Sequence, residues 1–369
     1  MPREKHAASQ RRSNIELLRI IVMFIIVANH FALHSGFVFP DDVLSVNRLW
    51  IQLILCSGGA FVDVFVLISG YFLIKTQSLK TARVIKLWAQ LFFYSVLFYA
   101  VFVLAGAEPL HIKQMVQHLI PVASGRWWFA SAYFMLYLLT PYLNRLLNAL
   151  DQRQYAGILL LLGICWCLFP TLTGQMMQSN HLLWFCFLYA LGGYLQRFGV
   201  RARVSGRQYL LLALAVAAAT YAAVILLDVL GTKNPYFAAR ALYLREIQML
   251  PMLLMAVFLF LGISRLDIGH SRVINFISPA MFGVYLIHDN QFVRPFLWKT
   301  VFQNASYADS NLLIPHTLFA TVLVFLGCTL IELLRIHLLE ARCLPLFERI
   351  AAAIDRKKDW ILDKLPGEK

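Results

Sequence analysis

Residues 13–34 read SNIELLRIIVMFIIVANHFALH, an apolar run in which only Glu16 and Arg19 carry a fixed charge. A helix needs about 20 mostly apolar residues to cross the hydrocarbon core of a bilayer. The run therefore predicts a membrane-spanning helix. It lacks the small-residue cleavage site of a signal peptide and contains Arg19, so we expect it to be retained. Similar apolar runs recur along the whole chain.

The composition extends this interpretation to the entire protein. The 369 residues are 60% hydrophobic and 14% charged, and the mean hydropathy is +0.67. A soluble domain carries about 25% charged residues, so the composition excludes a soluble globular or disordered chain. The apolar runs are also too long for barrel strands, which leaves helices. The net charge of +14 arises from basic residues between these runs, where they set topology, so we expect no nucleic-acid partner.

We predict an all-α integral membrane protein with about ten transmembrane helices and both termini in the cytoplasm. The excess of Lys and Arg in alternate loops sets this orientation. Three parts are expected: a cytoplasmic segment at 1–13, a ten-helix membrane domain at 14–337, and a basic amphipathic cytoplasmic tail at 338–369. The predicted spans are 15–34, 54–74, 84–105, 127–147, 155–172, 182–198, 208–230, 247–263, 274–293 and 311–335. We expect a multi-pass protein of the cell membrane.

The six cysteines have no Cys-x-x-Cys spacing and lie mostly inside apolar segments. We interpret them as small buried hydrophobic residues, without a disulfide framework or a zinc site. No metal is expected.

Polar residues at membrane depth are costly and are therefore candidates for function. Arg19 and His30 are eleven residues apart, about three helical turns, so both project from one face at roughly 16 Å separation. Glu16 lies one turn before Arg19 and can pair with it. Asp63 in the second span needs a cation or a donor on another helix. The alternative for Arg19 is that its side chain only reaches the headgroups, with His30 as a packing residue.

Two further groups support a polar pathway through the membrane domain. His288 in the ninth span lies near the depth of His30, which suggests a polar cavity opening to the outside. Arg83 and Lys86 lie one turn apart near a helix N-terminus, where an anionic ligand can bind. The alternative for these two residues is a topology signal only. In the second span, Ser69 and Gly70 form a small pair that favours close helix packing.

Together these motifs resemble the membrane acyltransferase-3 family, and the resemblance runs from about residue 13 to 337. The first span matches through Asn14-Ile-Glu-Leu-Leu-Arg19 and the ten residues between Arg19 and His30. The other matches are Asp63-Val-Phe-Val-Leu-Ile-Ser-Gly-Tyr71, the basic motif beginning at Arg83, Trp127-Trp128-Phe129 leading to Thr140-Pro141, and Tyr285-Leu-Ile-His288. Family members often have arginine at the position of Lys86. Lysine keeps the charge there but loses the bidentate fork.

The resemblance implies transfer of an acyl group, usually acetyl from acetyl-CoA, to a hydroxyl of a cell-surface glycan, an exopolysaccharide or its lipid-linked precursor. His30 is then a general base or a transient carrier of the acetyl group, and Asp63 can orient an imidazole. The predicted catalytic residues are His30, Arg19, Glu16 and Asp63. The predicted residues for binding the donor acetyl-CoA are Arg83, Lys86, Ser69, Tyr285 and His288.

Two other functions fit the same residues. A transporter or flippase for a glycan or a small anion also carries buried charges across several helices. A sensor or scaffold without chemistry is the third possibility. Binding of acetyl-CoA separates the acyltransferase from both.

Overall fold

The computed structural model describes residues 12–40, 43–56, 58–175, 177–200, 203–238, 240 and 243–364. Within these ranges the chain is helical and contains no β-strand. This agrees with the predicted all-α fold, because a chain in lipid must satisfy its backbone hydrogen bonds internally.

The helices follow one another through short connections. The first nine are α1 (Ser13–His34), α2 (Val46–Leu55), α3 (Gly58–Leu73), α4 (Thr81–Leu104), α5 (Ile112–Leu119), α6 (Trp128–Ala149), α7 (Gln152–Gly163), α8 (Phe169–Thr173) and α9 (His181–Phe198). The remainder are α10 (Gly206–Gly231), α11 (Pro235–Ala238), α12 (Leu250–Ser264), α13 (Arg272–Ile277), α14 (Met281–His288), α15 (Val293–Pro295), α16 (Leu313–Leu334) and α17 (Ala341–Leu362).

Seven helical runs in the described part of the chain are long and apolar enough to cross a membrane. They are Ser13–His34, Val46–Leu73, Thr81–Leu104, Gln152–Thr173, Gly206–Gly231, Tyr243–Ser264 and Leu313–Ile361. The other three predicted spans fall on α6, α9 and the α13–α14 pair. A 3₁₀ turn at Ser278–Ala280 joins α13 to α14, so that span is helical without being one regular α-helix.

Helix α1 lies at the centre of the helical bundle and packs against α3, α12, α14 and α16. Its apolar side chains at 15, 18, 22 and 27 are fully buried. Neighbouring helices therefore cover most of the stripe that carries the predicted catalytic residues. A polar side chain on α1 meets protein groups from these helices rather than lipid.

Helices α3 and α9 approach one another closely because a glycine on each helix faces the backbone of the other helix. A Cβ on Gly70 would lie 2.1 Å from the backbone oxygen of Tyr189, and one on Gly192 would lie 2.3 Å from the oxygen of Leu67. Neither position has room for a side chain. Close approach through small residues is typical of packing between membrane helices, and it confirms the packing predicted for the Ser69–Gly70 pair.

The last helical run extends beyond its predicted end. A π-helical segment, Arg335–Glu340, joins α16 to α17 without a break. Helix α17 then packs across the start of α4, where Thr81 Oγ1 donates to Asp355 Oδ1 at 2.6 Å. The tail is thus fixed beside the basic segment that precedes α4.

Candidate active site

Two imidazoles from different helices form the centre of the site. His30 Nδ1 lies 2.9 Å from His288 Nε2, and His288 Nδ1 lies 2.6 Å from the backbone oxygen of Val284. A carbonyl oxygen only accepts, so His288 Nδ1 carries the hydrogen and, in the neutral ring, Nε2 is an acceptor. His30 therefore donates from Nδ1. This leaves the lone pair of His30 Nε2 available for chemistry.

The two rings differ in how they are buried. His288 ends α14 and is fully buried, whereas the His30 side chain is 14% exposed. The sequence predicts His30 and His288 at similar depth on different helices. The packing of α1 against α14 brings the two rings into contact. His30 is the ring that a substrate can reach.

A carboxylate beside the imidazoles comes from Asp289, directly after α14. Its Oδ1 lies 3.6 Å from His30 Nδ1 and 3.6 Å from His34 Nε2. Arg294 Nη1 pairs with the same oxygen at 3.2 Å. We did not predict Asp289, His34 or Arg294 as site residues. The signal for Asp289 was its position next to His288 in the predicted ninth span.

His30, His34 and Asp289 could together hold a cation, because one ligand atom from each lies within 4.8 Å of the others. The Arg294 guanidinium already neutralises Asp289, and a cation at this place would face that positive charge. The arrangement therefore suits neutral imidazoles better than a metal. The absence of a metal stays a prediction.

Asp63 lies elsewhere in the bundle. It is fully buried, and its Oδ1 accepts from Trp184 Nε1 at 2.9 Å. Among the described residues it forms no ion pair with an imidazole. The structure therefore corrects the contact expected of Asp63, because the carboxylate that faces His30 is Asp289. Asp63 links α3 to α9, and spacing along one helix could not reveal which helix its partner would come from.

Glu16 and Arg19 form the ion pair that the sequence predicts, with Arg19 Nη1 3.3 Å from Glu16 Oε2. The same oxygen of the carboxylate accepts from the hydroxyl of Ser278. Glu16 is buried, whereas the Arg19 side chain is 32% exposed. Glu16 thus fixes the position of the Arg19 guanidinium, and Arg19 lines a cavity.

That cavity has a volume of about 600 Å³ and combines basic, hydroxyl and aromatic groups. Four of the five predicted donor-binding residues line it. They are Arg83, Lys86, Ser69 and Tyr285, and Arg19 joins them. The fifth, His288, does not line the cavity and instead contacts His30. Two separate helices, α1 and α4, thus bring the cations of the first span and of the Arg83 motif to one space.

A polar network holds Lys86 at this cavity. Its Nζ pairs with Glu340 Oε1 at 2.5 Å, and Glu340 Oε2 also pairs with Arg335 Nη2 at 2.8 Å. Arg335 in turn makes two 2.8 Å bonds to Glu332, as expected for a structural pair. Gln90, which lines the cavity, donates to Glu332 Oε1.

Tyr285 connects the cavity to the imidazoles. It forms part of the cavity wall, and its ring centre lies 6.5 Å from that of His30 and 6.3 Å from that of His288. Phe129 packs edge-on against Tyr285 at 5.5 Å and lines the same cavity. The cavity therefore ends one aromatic side chain away from His30.

Helix α5, which is too short to span a bilayer, holds the segment after α14. His118 Nδ1 lies 2.9 Å from Ser95 Oγ, and Gln291 Nε2 donates to His118 Nε2 at 3.3 Å. Arg126 donates to the other end of Gln291 at 2.7 Å. Burial, and then the charge of Arg126, lower the pKa of His118 to about 4. A neutral His118 thus fixes Gln291, two residues after Asp289.

Comparison with known proteins gives one match. A family model described as an acyltransferase domain, that of the acyltransferase-3 family, matches residues 12–333. No curated protein and no solved structure matches the chain. The matched range contains α1 to α15 and nearly all of α16, and with them every residue of the imidazole pair and of the cavity.

Proposed function

Because the chain belongs to the acyltransferase-3 family, and its apolar helices make it a multi-pass membrane acyltransferase, we propose that it transfers acetyl from acetyl-CoA to a hydroxyl of a cell-surface glycan, an exopolysaccharide or a lipid-linked precursor. We further propose ten spans in the plasma membrane, with both termini in the cytoplasm. The observation that carries the proposal is one cavity that extends from Arg19 on α1 to Tyr285, whose ring centre lies 6.5 Å from that of His30.

The donor fits this cavity by charge and by the aromatic lining that continues towards His30. The nucleotide end of acetyl-CoA carries phosphates, and arginine binds phosphate oxygens through its fork of N–H groups. Arg19 and Arg83 supply such forks, and Lys86 adds a point charge. Helix α4 begins at Thr81, so its N-terminal dipole adds to the attraction. The pantetheine arm then extends along Phe129 and Tyr285 towards His30.

The chemistry uses the lone pair of His30 Nε2. As a general base, it accepts the proton of the acceptor hydroxyl while the hydroxyl oxygen attacks the acetyl carbon. The carbon–sulfur bond breaks, CoA leaves as thiolate, and the proton passes from the imidazole to that thiolate. As a nucleophile, Nε2 first attacks the acetyl carbon, the carbon–sulfur bond breaks and CoA leaves as thiolate. The acetyl group then passes from Nε2 to the hydroxyl oxygen, and the hydroxyl proton goes to the thiolate. Label that remains on the protein when the acceptor is omitted distinguishes the second course.

The test is transfer of labelled acetyl from acetyl-CoA to crude envelope glycan in membrane vesicles that contain the protein. We expect base-labile label in the glycan, and a decrease of at least about 100-fold for His30→Ala, because that variant loses the base. The matched control is His270→Ala. His270 is an exposed histidine in the segment after α12, and it lines a cavity beside the start of α1, far from His30. Full transfer by His30→Ala would contradict the catalytic assignment. A wild-type protein that neither binds acetyl-CoA nor transfers label would contradict the proposed function.

A further inference from the structure

Two further cavities lie at the opposite end of α1 from the cavity lined by Arg19, Arg83 and Lys86, which we call the donor cavity. One, of about 320 Å³, is lined by Ala32 and Leu33 of α1. The other, of about 740 Å³, lies beside it, and Arg245 lines both. We call the two together the outer cleft. Leu33 is three residues after His30, roughly 4.5 Å along the helix axis. His30 therefore lies between the donor cavity and the outer cleft.

The smaller cavity of the outer cleft offers a hydrogen-bond acceptor without a partner. Asp228 accepts a hydrogen bond from Gln52 Nε2, and this bond fixes the orientation of the Gln52 amide. Asp228 also accepts from Arg48 Nη2 at 3.1 Å. Gln52 is 93% buried, since its relative exposure is 7%. Its Oε1 has no hydrogen-bond partner among the residues that the structure describes. A buried acceptor costs free energy unless a donor reaches it, and a ligand hydroxyl is such a donor.

Aromatic faces lie in the same cavity. Phe37 and Phe39 stack at 6.0 Å between ring centres with an interplanar angle of 19°, and both line the cavity. Flat apolar faces beside hydrogen-bonding groups suit a sugar ring, whose faces carry C–H groups and whose rim carries hydroxyls. The neighbouring cavity adds the aromatic rings of Tyr236 and Tyr243. Its volume of about 740 Å³ gives the cleft room for more than one sugar.

Arg245 supplies the charge of the outer cleft. Its side chain forms no hydrogen bond or ion pair with another described residue, in contrast to Arg48, which Asp228 neutralises. Arg240 also lines the larger cavity, where Glu246 is the single acid. An arginine without a carboxylate partner favours an anionic ligand group through charge-assisted, bidentate hydrogen bonds.

From these observations we propose that the outer cleft binds the acceptor, and that the acceptor is an acidic saccharide whose anionic group pairs with Arg245. This rests on the proposed function, because it names the substrate class of the same reaction. A sugar hydroxyl donates to Gln52 Oε1 and the ring lies against Phe37 and Phe39. Another hydroxyl of the same saccharide then receives the acetyl group at His30.

The test measures binding without turnover, on the full chain in lipid nanodiscs. Saturation-transfer NMR is recorded with methyl β-D-glucuronide and with methyl β-D-glucoside as matched probes. We expect Arg245→Gln to weaken glucuronide binding at least tenfold and glucoside binding less than threefold. Arg245→Lys keeps the charge but loses the bidentate fork, so we expect its glucuronide affinity to lie between those of wild type and Arg245→Gln. Arg145→Gln, at an exposed arginine of α6, is the control and leaves both unchanged.

Binding of labelled acetyl-CoA to the same samples reports on the donor cavity and on folding. If Arg245→Gln loses acetyl-CoA binding as well, the Phe39→Ala variant tests the outer cleft instead. We expect it to weaken the binding of both saccharides about tenfold. A wild-type protein that binds acetyl-CoA but neither saccharide overturns the inference and leaves the proposed function intact. Equal glucuronide binding by wild type and a folded Arg245→Gln also overturns it. Saccharide binding without any acetyl-CoA binding overturns the proposed function instead.

Discussion

At the scale of single residues, the position of the proton on His30 depends on a chain of hydrogen bonds that begins at a backbone carbonyl. The oxygen of Val284 fixes the hydrogen of His288 on Nδ1, and His288 Nε2 then fixes the hydrogen of His30 on its own Nδ1. The orientation of a histidine and the position of its proton are commonly set by the group that its second nitrogen contacts. His288 is thus a positioning residue, although we predicted it as part of the donor site.

The prediction at this scale concerns His288. Replacement by leucine removes the acceptor for His30 Nδ1–H, so we expect kcat to decrease about 100-fold with little change in KM for acetyl-CoA. His288→Gln keeps an amide oxygen within reach of His30 and should retain kcat to within about tenfold. Steady-state transfer kinetics in detergent measure both values. Equal losses for the leucine and glutamine variants would indicate a packing role instead.

At the scale of elements, the contact between α3 and α9 fixes the position of one wall of the donor cavity. Helix α3 carries Ser69 at the cavity and Asp63 at the bond to Trp184 of α9. Glycines at the crossing allow backbone to lie on backbone. A small shift of α3 would therefore move both the cavity wall and this buried carboxylate.

We expect Gly70→Ala to destabilise the protein by about 1–3 kcal/mol, because its new methyl group would meet the backbone of Tyr189 and neither helix can yield cheaply. Gly157→Ala in α7 is the matched control. A Cβ there has open space, so alanine should be neutral or stabilising by up to about 1 kcal/mol. Thermal unfolding of the purified proteins measures the difference. Comparable stability of the two variants would contradict the close helix contact.

At the scale of the whole molecule, the proposed reaction needs two aqueous sides. Arg19, Arg83 and Lys86 lie towards the starts of α1 and α4, whereas the outer cleft lies at the end of α1. The proposed orientation places the donor cavity towards the cytoplasm, where acetyl-CoA is made. The acceptor then approaches His30 from the opposite side.

Labelling with a membrane-impermeant maleimide tests this orientation. Lys80 and Lys233 are both exposed and lie on opposite sides of the proposed topology. In a cysteine-free background, Lys80→Cys should react in inside-out vesicles and Lys233→Cys in right-side-out vesicles. Modification of both cysteines from one side would contradict the proposed number and direction of the spans.

Much of the molecule could be predicted from local sequence. Apolar runs give the helices, because crossing lipid requires a fixed length of apolar residues. The spacing of Glu16, Arg19 and His30 gives the face of α1, since helical periodicity is local. The helical run Leu313–Ile361 passes the predicted end of the last span at 335, because a helix can continue into an amphipathic segment, whereas the predicted span counts only apolar residues.

The partners of the buried polar groups could not be predicted in this way. Sequence alone determined that this is a helical membrane protein with a cation and an imidazole on one stripe of its first helix, because both properties follow from composition and period. Tertiary structure decided that His288 and Asp289 face His30, that Asp63 faces Trp184, and that the cations of two segments share one cavity. Such contacts depend on which helices pack together, and the residues of one helix do not encode that choice.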